Sequence, residues 1–128
     1  MPQKIIKITV KNNFQIIGII DNLTDFKLVW LLNNILNINL IKSDKDYKFS
    51  VFEAETENFR ITLIENKLEE KLLFREIKEI SFILKISAET SKVDEIVKKI
   101  KSSQKINFAM ILSKDKFYKK SIKLLSAI

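Results

Sequence analysis

The chain has 128 residues, a size that fits one domain, with 46% apolar and 30% charged residues and a net charge of +7. It contains no cysteine, no histidine and a single glycine, Gly18. Those counts exclude disulfides, Ser-His-Asp and Cys-His nucleophiles, the usual zinc sites and any glycine-rich phosphate loop.

Ile6, Ile8 and Val10 alternate with polar residues and predict a strand over residues 4–10, with a turn at Asn12-Asn13. Residues 14–20 are apolar and β-branched and predict a second strand. Thr24 is placed to cap a helix that runs to about Leu36, and Asn37 to end it. Phe26, Val29, Trp30, Asn33 and Leu36 share one face, and Leu28, Leu31, Leu32 and Ile35 widen it. A helix so apolar is expected to be mostly buried, with Trp30 as a core anchor. Asn33 is expected to hydrogen-bond a neighbouring loop backbone.

Residues 38–42 read as a strand and residues 43–46 as a turn. Tyr47, Phe49, Val51 and Phe52 mark a strand, and Phe59, Ile61 and Leu63 its antiparallel partner across a tight connection at Glu57-Asn58. Residues 67–71 read as a charged loop, residues 72–77 follow neither period, and residues 80–87 read as a central strand. Ser91 with Asp94 resembles a capping box for an amphipathic helix over residues 92–103, carried by Val93, Ile96, Val97 and Ile100. Ile106, Phe108, Met110 and Leu112 alternate as a last strand, and Tyr118, Ile122 and Leu125 predict a short helix after Asp115. This order predicts an α+β fold over residues 1–128: a mostly antiparallel sheet with two main helices on one face and a short C-terminal helix. Nothing reads as a signal peptide, and the apolar runs are too short to span a bilayer, so a cytoplasmic protein is expected.

Several segments together resemble the bacterial IPExxxVDY family. Phe14, Gln15, Ile16, Ile17, Gly18 and Ile19 stand where that family has F-x-L-I-G-I. Asp25, Leu28, Trp30, Leu32 and Asn33 match its D-Y-R-L-C-W-x-L-N helix, and its E-N-Y-R segment appears here as Glu57, Asn58, Phe59 and Arg60. The signature aligns with residues 74–82, where Glu76 is identical, Ile80 and Phe82 are conservative, and the Pro and Asp are absent. No role that rests on the signature Asp or Tyr carries over. The resemblance implies a fold and an origin and no reaction.

The charge is uneven. From Lys98 onward nine lysines stand against one acid, a charge of +8, so the whole basic excess lies in the last quarter. Lys98, Lys99, Lys101, Lys105, Lys114, Lys116, Lys119, Lys120 and Lys123, with Phe117 and Tyr118 between them, are the candidate contact residues for a nucleic acid or a partner. Lysine is abundant along the whole chain, which weights this set towards an ordinary solvated face. Glu53, Glu55 and Glu57 alternate about 7 Å apart along a strand, a spacing that could hold a hard cation or an acid/base pair but is far more ordinarily a charged outer face. Glu76 and Glu79 read as solvated positions at a loop or the start of a strand. The first expectation is a non-catalytic interaction protein that binds a protein partner or itself through an apolar patch or sheet edge. The alternatives are an RNA-binding or ribosome-associated accessory protein using the lysine-rich quarter, and a divalent-metal carboxylate enzyme. No catalytic residue, metal ligand or cofactor is assigned.

Overall fold

The computed structural model describes residues 14–45, 47, 49–68 and 71–128; the strand expected at residues 4–10 and the Asn12-Asn13 turn lie outside them. Alternating runs form strands and the two longer amphipathic stretches form helices. The order is β1 (Gln15–Ile20), α1 (Asp25–Leu36), β2 (Ile41–Lys42), β3 (Val51–Glu55), β4 (Arg60–Glu65), β5 (Lys67–Leu68), β6 (Lys71–Leu72), β7 (Phe82–Ser87), α2 (Thr90–Ser102), β8 (Phe108–Leu112) and α3 (Lys119–Ala127). Short 3-10 turns at Arg75–Ile77 and Lys114–Lys116 precede β7 and α3.

Six strands make one sheet in the order β2-β3-β4-β7-β1-β8, with every pair antiparallel. β5 and β6 form a separate two-stranded ladder where a charged loop was expected. β7 is buried along its whole length, as a central strand must be. Strand alternation then sorts the side chains into two cores. On one face Ile17, Ile19, Phe52, Leu63 and Leu84 meet Leu28 and Leu32 of α1 and Val93, Ile96 and Ile100 of α2. On the other, Ile16, Val51, Ile64, Ile83 and Leu112 meet Phe74, Ile77 and Ile80 of the 3-10 connection and Leu125 and Ile128 at α3. The fold is therefore α+β, with the two main helices on one face and the short C-terminal helix on the other.

Local chemistry explains the ends of α1. The Thr24 hydroxyl accepts from the Lys27 N–H, and Asn37 adopts the left-handed conformation, φ 54° and ψ 52°, that a helix C-terminus favours. The Asn33 side-chain oxygen accepts from the Leu40 N–H at 2.7 Å, so Asn33 does bond the following loop. α2 begins earlier than expected. Glu89 is its N-cap and makes no side-chain cap bond, and Ser91 lies inside the first turn, so Ser91 and Asp94 form no capping box. Other boundaries shift as well. Tyr47 and Phe49 stack 5.4 Å apart ahead of β3 rather than within it, and Ile106 is buried ahead of β8.

The expectation for Trp30 is overturned. Trp30 is 55% exposed and Phe26 65% exposed. At about 100° per residue, Leu28, Leu31, Leu32, Leu36 and Val29 fill one arc of α1, and Phe26 and Trp30 fall on the opposite arc. The core takes the arc richest in leucine. Phe26 folds back edge-on to Phe52 at 5.8 Å, and the Lys27 ammonium lies 5.5 Å from the centre of the Trp30 ring.

Candidate interaction surface

The lysine-rich quarter does not form one surface. α2, with Lys98, Lys99 and Lys101, packs on one face of the sheet, whereas Lys116, Lys119, Lys120 and Lys123 belong to the turn and helix on the other. Lys105 lies in the link between α2 and β8. Lys99 is engaged by Glu95 at 3.4 Å. Lys114 is only half-exposed, its ammonium 4.3 Å from the centre of the buried Phe14 ring. Phe117 is buried edge-on against Phe74 at 5.9 Å, so it offers no ring for stacking and leaves the candidate set. Tyr118 remains, exposed, with the Lys120 ammonium 5.8 Å from its ring.

Glu76 is not a solvated carboxylate. Its Oε2 accepts the Tyr118 N–H at 2.9 Å, at the N-cap of α3. Burial pushes this carboxyl up, but hydrogen bonds from Ser121 and Tyr118, together with the Lys120 charge, outweigh it and hold it below the usual carboxylate range. A carboxylate facing the exposed N–H groups of a helix start is favourable, so Glu76 ties α3 to the 3-10 turn before β7. A depressed folded pKa gives stability that is present above the usual value of 4.5 and is lost as pH falls through the folded value. Glu76→Gln is therefore expected to cost about 1 kcal/mol near neutral pH, a figure kept low because the site is partly solvated. The difference in urea midpoint between wild type and variant should shrink as pH falls from the usual carboxylate value through the lowered folded one.

The acidic strand offers less. Glu53 Oε1 lies 3.4 Å from the Arg60 guanidinium, and Glu55 and Glu57 are exposed. Among the described residues no group of three or more Asp and Glu is placed to hold a metal ion. An open depression of about 860 Å³ between the β3–β4 turn, the start of α2 and the end of α3 is lined by Glu55, Phe59, Arg60, Glu89 and Lys92, among others. Two of its cations are paired, Lys92 with Glu95 at 3.4 Å and Arg60 with Glu53. Elsewhere, burial and then the nearby Asp25 charge push the Glu65 carboxyl up.

The sheet edge differs from these places. The Ile19 carbonyl accepts the Ser81 N–H on the β7 side of β1. Backbone groups alternate along a strand, so Gly18 and Ile20 turn theirs to β8, where they face Met110 and Phe108. Ala109 and Ile111, the residues between and beyond on β8, therefore turn their N–H and C=O groups away from the sheet. Among the described residues none bonds to these groups. The strand FAMIL has no charge and no proline, and Phe108 and Ile111 are each nearly half exposed. Natural sheets usually blunt such an edge with lysine, proline, a bulge or a very short strand. The opposite edge, β2, is blunted in this way: it has two residues, both exposed, one of them Lys42.

No protein-family model matches the chain, and no curated protein matches it either. Among the described residues no helix is long and apolar enough to cross a membrane.

Proposed function

We propose that this chain is a non-catalytic interaction protein that binds another protein chain by strand addition at β8. The supporting observation is the uncharged edge whose Ala109 and Ile111 backbone groups point outward. In strand addition the main chain supplies affinity and the alternate side chains supply specificity. The exposed pair Phe26 and Trp30 is another apolar feature, but it offers side chains alone. On this reading the chain is cytoplasmic, in keeping with its lack of cysteine, and the IPExxxVDY resemblance would give its origin. The test is a pull-down of tagged protein after nuclease treatment, comparing wild type with Ile111→Lys. The expected result is a co-purifying protein that survives nuclease and is lost with the variant. A partner held equally by both forms would show that the edge is not the contact.

A second reading, binding to RNA, draws on Lys116, Lys119, Lys120 and Lys123, all exposed, beside exposed Tyr118. Four phosphate contacts would weaken binding on the order of 100-fold between about 50 and 200 mM salt. Fluorescence anisotropy with a labelled single-stranded RNA measures this, and affinity that is flat with salt would remove the reading.

A further inference from the structure

Resting on the strand-addition reading, we propose that the strand received at β8 is β8 of a second copy, running antiparallel about a two-fold axis at Met110 and joining two six-stranded sheets into one. In that register Ala109 of one copy stands opposite Ile111 of the other. These are the two residues whose backbone groups point outward, so each such pair can exchange both N–H···O=C bonds. The contact is isologous: every group that one copy offers is met by the group it needs on the other.

The side chains fit the same register. On the helix-covered face, Ile111, 48% exposed, comes beside the small Ala109 of the other copy. On the opposite face, Phe108, 47% exposed, comes beside Leu112, and Met110 beside its own counterpart. The apolar side chains that β8 leaves open in one copy are thus covered in the pair, and cross-strand apolar pairs of this kind stabilise sheets. The strand carries no charge, so no like charges meet across it. Further out, the register brings the end carrying Lys105 towards the end carrying Asp115.

Net charge sets the salt dependence. Two copies at +7 repel each other, and salt screens that repulsion over about 8 Å at physiological ionic strength. Self-pairing therefore tightens as salt rises, whereas binding to RNA or to an acidic peptide loosens.

Sedimentation velocity on the full chain, over a concentration series at low and high salt, tests the proposal. The expected result is a concentration-dependent dimer that tightens with salt. Ile111→Lys should abolish the dimer, and at dilutions where wild type is monomeric it should leave the melting temperature unchanged, because the side chain is half exposed. Amide exchange gives an independent reading: the Ala109 and Ile111 amides should exchange more slowly as concentration rises. A chain that stays monomeric at every concentration and salt overturns the proposal. So does a dimer that Ile111→Lys leaves intact while those two amides exchange freely. If the monomer still captures a protein that Ile111→Lys releases, self-pairing is wrong and the strand-addition reading stands.

Discussion

Asn66→Ala is expected to lower the unfolding free energy by about 2–6 kcal/mol, a large part of the roughly 5–15 kcal/mol typical of a domain. Asn66 follows β4 and is fully buried. Its side-chain amide donates to the Ile77 carbonyl at 3.2 Å and the Ile80 carbonyl at 2.8 Å, and its side-chain oxygen accepts the Phe74 N–H at 2.7 Å. Its backbone N–H reaches the Ser81 carbonyl, and its own carbonyl accepts from Leu73. One residue thus fixes the whole path from β6 through the 3-10 turn to β7. Alanine removes three side-chain bonds; the Ile77 carbonyl keeps the Ile80 N–H, but the Ile80 carbonyl and the Phe74 N–H lose their partner away from water, each costing about 1–3 kcal/mol. Asn66→Leu restores volume without restoring a bond, so it should be nearly as damaging. Urea unfolding followed by far-ultraviolet circular dichroism measures both. A loss below about 1 kcal/mol would mean that the connection relaxes and water replaces the amide.

Gly18→Val is expected to cost about 2–3 kcal/mol by overpacking. A β-carbon at Gly18 would lie 2.8 Å from Ile80 Cδ1, 2.8 Å from Leu112 Cδ1 and 3.2 Å from Leu112 Cγ. Both neighbours are buried, so neither can turn aside into solvent. The glycine is required here by close approach, because its φ is not positive. Gly18→Ala should cost less, since relief from glycine's backbone freedom offsets part of the clash. The sharper test is a double-mutant cycle with Leu112→Ala. If Leu112 is the obstacle, its truncation should be less damaging in the Gly18→Val background than alone, with a coupling of about 1 kcal/mol or more. Strict additivity would place the strain elsewhere.

Much of the fold was legible because local rules and tertiary packing agree. Thr24 and Asn37 bracket α1 where capping chemistry places them, and the β3–β4 hairpin follows its alternation. The inward face of α1 was not legible from periodicity alone, because apolar residues surround it. Lys27, Trp30 and Asn34 share a side of the helix, however, and those two polar neighbours mark Trp30 as outward. Phe117 misled for a related reason: lysines on either side of it suggest exposure, yet an irregular segment can turn a single ring inward. Asn66 and Glu76 gave no local sign. An asparagine after a strand usually signals a turn, and a glutamate among charges usually signals solvent. Glu76 and Tyr118 lie 42 residues apart, and Asn66 meets its partners across an irregular connection, so neither pairing has a period to read. The same holds for the open edge. FAMIL reads as a strand, but its outermost place follows only once β1 is known to lie between β7 and β8.

That placement of β1 also governs the order of events when the chain folds. β1 precedes the other strands described, yet its hydrogen-bonded neighbours are β7 and β8, which are synthesised more than 60 residues later. Pairings of such high contact order slow folding relative to a helical protein of the same length. On the ribosome, β1 emerges well before either neighbour exists, leaving Ile16, Ile17 and Ile19 without their sheet until β7 and β8 follow. For that interval the nascent chain presents an apolar, β-prone run suited to chaperone binding.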